Sequence, residues 1–135
     1  MSQPIILSEG RDRQVLRGIK TGTRRLAKKD DYIGMYGDLI ERGTKGVRMV
    51  YCVGGTVAIL PGRGKKATGR ARIVGLRIEP LLSITEEGAR AEGVANRGEY
   101  LALWDKIQRT VPAAKRRFAM TNPLVRVITL ERIDK

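Results

Sequence analysis

The run "GRARIVGLRIEPL", residues 69–81, decides the fold. Ala71 and Ile73 alternate with Arg70 and Arg72, the period of a strand with one buried face and one wet, basic face. Gly75 breaks the alternation, and Leu76 and Ile78 resume it out of phase around Arg77, so a bulge is expected near Gly75. A helix opens directly afterwards in "SITEEGARAEG", residues 83–93. Thr85 offers a cap, Glu86 and Glu87 suit the positive end of the helix, and Gly93 closes it.

Downstream, "RGEYLALWDKIQ" at 97–108 reads as a second helix with Tyr100, Leu101, Leu103, Trp104 and Ile107 on one stripe, and Trp104 is expected as a core anchor. A polar, basic connection at 109–122 leads past Pro123 into "LVRVITLERI", a final alternating strand. Upstream, "PIILS" is a short strand, and "RDRQVLRGIK" places Val15, Leu16 and Ile19 at helical spacing, with Gly18 a left-handed terminator. Two β-type runs, Leu39 to Arg42 and Val47 to Val53, flank a glycine-bearing turn and predict a hairpin. After Gly54, Gly55 and "TVAIL" comes a Gly-rich basic loop, "PGRGKKATGRA", the best candidate for a mobile segment. Strands outnumber helices and no repeat is visible. One domain over residues 1–135 is expected, an α+β chain forming a small antiparallel or mixed barrel with helices at its ends rather than a doubly wound sheet.

Lys and Arg number 27 against 14 Asp and Glu, a formal charge of +13, which favours a polyanionic partner: nucleic acid ahead of an acidic protein. Histidine is absent and Cys52 is the sole cysteine, so the usual zinc constellations and an intramolecular disulfide are excluded. Cys52 lies in the apolar run "RMVYCVGG" and is expected to be a buried, inert thiol. No apolar run is long enough to span a bilayer and the N-terminus lacks a secretory core, so the expectation is a cytoplasmic protein without a membrane partner. No cofactor is called for, and a monomer is favoured.

The remaining stretch is "GIKTGTRR" at 18–25, read as an extended polar loop past the first helix. Together with "ITEEGARAEGV" and "NPLVRVITLERI" it resembles, in order and spacing, the activating signal cointegrator homology (ASCH) domain of the PUA-like superfamily, in its phage and bacterial form. The likeness covers residues 4–26 and about 69–133, and it is loose between Lys28 and Thr68. It implies a β-barrel of five or six mostly antiparallel strands flanked by helices, with a cleft bordered by the GxKTxTRR segment that binds RNA or a nucleotide. Some small bacterial members are amidohydrolases of N-acetylcytidine and others have been described as ribonucleases. Their Lys, Thr and Glu fall on Lys20, Thr23 and Glu92.

Those three residues suit amide hydrolysis without histidine: Thr23 as nucleophile, Lys20 as its base once desolvated, and Glu92 to hold or relay the proton. A structural alternative stands beside it. Lys20, Arg24 and Arg25 suit phosphate binding, the threonines suit turn capping, and Glu92 suits an ion pair with Arg24 or Arg25 that fixes the loop to the helix. Binding without turnover is favoured over catalysis, with the amidohydrolase second and a metal-independent ribonuclease third.

The segment 42–68 is more basic than in the minimal amidohydrolases, with "GRGKK" at 62–66, and "KRR" at 115–117 adds charge that a neutral nucleoside has no use for. A polynucleotide would use it. The candidate nucleic-acid contacts are Arg24, Arg25, Arg63, Lys65, Lys66, Arg70, Lys115, Arg116 and Arg117.

Overall fold

The computed structural model of the chain describes residues 3–7, 10–18, 21–43 and 45–133. A five-stranded sheet runs in the order β1 (Ile5–Ile6), β6 (Thr56–Leu60), β7 (Gly69–Pro80), β8 (Leu124–Arg132), β2 (Gly22–Leu26). Strand β1 pairs parallel to β6, and every other pairing is antiparallel. The hairpin expected around residues 39–53 forms β4 (Leu39–Gly43) and β5 (Gly46–Tyr51), and β3 (Tyr32–Ile33) joins them in a three-stranded sheet. Helix α1 (Arg11–Leu16) precedes β2, while α2 (Glu86–Ala91) and α3 (Arg97–Gln108) lie between β7 and β8.

The twelve-residue β7 organises the rest, because it pairs with β6 along its first third and with β8 along nearly its whole length. Its register against β8 shifts between Ile73 and Gly75, where the broken alternation placed a bulge. A side chain at 75 would press on Thr129, its Cβ 3.4 Å away, so glycine suits this close approach.

Each face of the large sheet covers its own apolar cluster. One lies between the two sheets and α1, around Leu39, Ile59, Ile73 and Ile128; the other lies under α2 and α3, around Leu81, Tyr100, Trp104 and Val127. Trp104 is the anchor expected of it, buried with its indole N–H donating to the Arg117 carbonyl at 2.7 Å. The α3 stripe is rotated from the expected one. Ile107 is exposed while Gln108 is buried, because the Gln108 side-chain oxygen accepts the Arg117 N–H at 2.9 Å and draws that face inward. Cys52 is half-buried rather than enclosed.

"GIKTGTRR" divides differently from the loop expected. Helix α1 ends at Leu16 and Gly18 has φ 76°, so the terminator acts as anticipated; Ile19 and Lys20 lie outside the described residues. From Gly22 the chain is an edge strand laid along Val125–Thr129, its two arginines and threonine hiding the pattern that would have marked a strand.

The two sheets are clamped by buried charge. Arg126 of β8 donates to both carboxylate oxygens of Asp31, at 2.6 and 3.0 Å, and to Glu41 of β4 at 3.3 Å. Burial alone would raise the Glu41 carboxyl, but hydrogen bonds from Lys28 and Arg126 outweigh it and hold the group below its ordinary value. Glu79 is lowered likewise, burial being opposed by Arg77 and Arg24. A carboxyl depressed in the folded state contributes stability above its unfolded pKa and loses it as pH falls through the folded one. Unfolding free energy from urea titrations should therefore be level near neutrality and decline below about pH 4.5. A rise in stability on acidification would contradict these pairings.

Candidate functional site

Strands β1 and β2 are the two free edges of the curled sheet, and the seam between them is where the barrel fails to close by backbone pairing. The Arg25 guanidinium crosses it, donating to the Ile6 carbonyl. Beside that bridge opens a cavity of about 330 Å³. Ile6 and Leu7 line one side, Thr23 to Leu26 another, and Tyr100, Leu103, Trp104 and Ile107 of α3 form an apolar wall, with Glu92 and Arg11 contributing charge.

Strand β2 offers this cavity more than side chains. Thr21 accepts from Leu130 and Ala27 donates to Leu124, so the odd-numbered residues carry the ladder to β8. The N–H and C=O groups of Arg24 and Leu26, both lining the cavity, consequently point away from β8, toward the seam.

Glu92 reaches the site through a short chain of local causes. The Thr85 hydroxyl caps α2 by accepting the Gly88 N–H at 2.9 Å, and Gly93, at φ 91°, turns the chain away so that Glu92 is the C-cap residue of the helix. The Ala91 carbonyl accepts the Thr21 N–H at 2.7 Å, fixing the end of α2 to the start of β2. Gly22 packs beside this end of the helix: a Cβ built there would stand in ordinary contact with the Ala91 Cβ at 3.7 Å and Glu92 Oε2 at 3.9 Å.

Thr23 and Glu92 are both buried and both line the cavity. Lys20, the third residue of the expected constellation, lies outside the described residues. Glu92 Oε2 accepts from Arg24 Nη1 at 3.3 Å, the pairing foreseen as the structural alternative, and Arg24 Nη2 meets Glu79 at 3.4 Å. Arg24 is thus no surface cation; its Nε is buried with no hydrogen-bond partner among the described residues. Burial pulls the Arg25 guanidinium down, against the opposing charges of Tyr51 and Glu92. Burial pushes the Tyr100 hydroxyl well above its ordinary range, and the Glu92 charge adds to the effect.

The other basic residues do not gather in one place. Arg63, Lys65 and Lys66 lie in the exposed loop between β6 and β7, and Arg70 is on the outer face of β7, bonded to Thr56 at 2.8 Å. Arg116 is turned onto the Val111 and Arg109 carbonyls at 2.9 and 3.1 Å, closing the end of α3. Lys115 and Arg117 line a second hollow with Lys28 and Lys29. Those two lysines were missed because Asp30 and Asp31 follow them and cancel the run. Tyr100 and Trp104, expected on the core-facing stripe, are buried and also line the cavity; their spacing does not distinguish a core wall from a cavity wall.

This architecture has counterparts. The chain aligns with the crystal structure of an ASCH domain from Lactobacillus crispatus JV V101 over 96% of its own length and 77% of that chain, with TM-score 0.64 and 15% identity. The chain has the ASCH fold. Protein EF3133 from Enterococcus faecalis V583, of the family model DUF984, matches over 99% of this chain and 82% of its own, at TM-score 0.60 and 19% identity. The hypothetical protein PH0355 matches over 98% and 100%, at 0.57 and 17%. At such identities the ASCH likeness is one of fold, a PUA-like barrel of mixed α+β structure flanked by helices. No family model matches the chain, and no curated protein matches it in sequence.

Proposed function

We propose that this ASCH-fold protein binds RNA or a nucleotide by seating a base in the seam cavity. The observation that carries this is the pairing, in one hollow, of an aromatic and aliphatic wall with a polar end made by Thr23, Arg24 and Glu92. At about 330 Å³ the hollow is at the small end for ligand pockets, about 300–1,000 Å³, which suits one base or nucleoside. Its outward-facing backbone amides offer donors and acceptors to the edge of a planar base, and the Arg24 Nε is a buried donor that a ligand oxygen would satisfy. The net charge of +13 supplies attraction to phosphate.

A hydrolase is the second reading, favoured by one observation: Thr23 and Glu92 line the same cavity. Thr23 would attack the amide carbonyl of an acylated cytidine, Lys20 and Glu92 passing its proton to the amine that leaves as the C–N bond breaks, and water would then hydrolyse the threonine ester to release the acid and restore the hydroxyl. One experiment separates the two. Short RNAs and N-acetylcytidine are offered to the protein, with binding followed by calorimetry and deacetylation by chromatography. Binding that weakens steeply with salt, without turnover, supports the first reading. Turnover abolished by Lys20→Ala establishes the second, and neither binding nor turnover removes both.

A further inference from the structure

The second hollow adjoins the first. Leu26 lines both, and beyond it a groove of about 480 Å³ runs between the end of β2 and the segment after α3. Lys28, Lys29, Lys115 and Arg117 flank this groove over an apolar floor that includes Pro123 and the half-exposed Leu124. Lys28 is partly engaged by Glu41 at 3.2 Å and is 60% exposed. Cations over an apolar floor suit a strand whose phosphates are held while its sugars and bases lie against hydrocarbon. By contrast Arg63, Lys65 and Lys66, equally basic in sequence, line neither hollow.

We propose that the ligand is a single-stranded RNA with one base in the seam cavity and its neighbouring phosphates in the Lys28–Lys29 and Lys115–Arg117 groove. This rests on the cavity being a base site, and it makes a chain, rather than a free nucleoside, the preferred ligand. It also assigns the two basic segments different roles, the groove gripping the strand and the 62–66 loop contributing only long-range attraction.

The test matches charge for charge. Binding of fluorescently labelled hexauridine and hexacytidine is measured by anisotropy at several salt concentrations for Lys29→Ala/Lys115→Ala/Arg117→Ala and for Arg63→Ala/Lys65→Ala/Lys66→Ala. Uridine and cytidine binding is measured by calorimetry. The groove variant should bind the hexamers about tenfold or more weakly and lower the salt slope by about 2, while nucleoside binding holds. The loop variant should change affinity by less than about threefold. Circular dichroism checks folding, and Lys29→Glu/Lys115→Glu, which keeps Arg117, gives the same comparison should the triple variant be unstable. Equal losses from both triples would overturn the proposal, since affinity would then follow net charge alone. Glu92→Gln separates it from the reading beneath: should that change spare nucleoside and hexamer binding while the groove variant still weakens the hexamers, the cavity is not the base site and the groove is an independent phosphate track.

Discussion

Glu92→Gln is expected to cost about 3–5 kcal/mol of stability and to weaken base binding about tenfold or more. Arg24 and Glu92 are both buried, and removing the Glu92 charge leaves Arg24 only partly compensated, by Glu79 at 3.4 Å, a carboxylate that Arg77 also holds. The two effects separate in a double variant. Replacing both partners by apolar residues, as in Arg24→Met/Glu92→Leu, removes the stranded charge, and Arg77 at 2.6 Å still holds Glu79. Stability measured in urea should recover most of the loss, whereas binding should remain absent, because the polar end of the cavity is gone. Recovery of binding along with stability would show Glu92 to be a structural partner only.

Arg126→Leu should lose a similar amount, about 3–5 kcal/mol, for the same reason at a different place. The Asp31 side chain is only 1% exposed, and without Arg126 its carboxylate keeps, among the described residues, just the Lys28 backbone N–H at 2.8 Å. This clamp joins β8 to the three-stranded sheet and includes no residue of the seam cavity. The variant should therefore melt far below the wild type, yet bind cytidine or uridine with nearly unchanged affinity at temperatures where it is folded. Loss of binding in the folded variant would mean that the second sheet shapes the site.

The long strand was legible because β7 carries a two-residue period on both sides of its bulge, and α2 because Thr85 and Gly93 mark its ends. Strand β2 was not. Its buried residues are Gly22, Thr23 and Arg24, and their burial comes from facing α2 and the seam, a tertiary cause that leaves no apolar pattern. Glu92 was found through resemblance, and its ion pair with Arg24 was one of two readings that sequence left open; distance decided between partners. The groove was invisible for a simpler reason. Its four cations come from two segments far apart in the chain, one of them masked by adjacent aspartates.

Trp104 is the only tryptophan and it lines the seam cavity, so its emission reports occupancy of that cavity. Titrating the protein with hexacytidine should change Trp104 fluorescence saturably, with the midpoint found by anisotropy, and Glu92→Gln should shift both midpoints together. RNA that binds fully by anisotropy while Trp104 emission stays constant would place the ligand elsewhere and contradict the account.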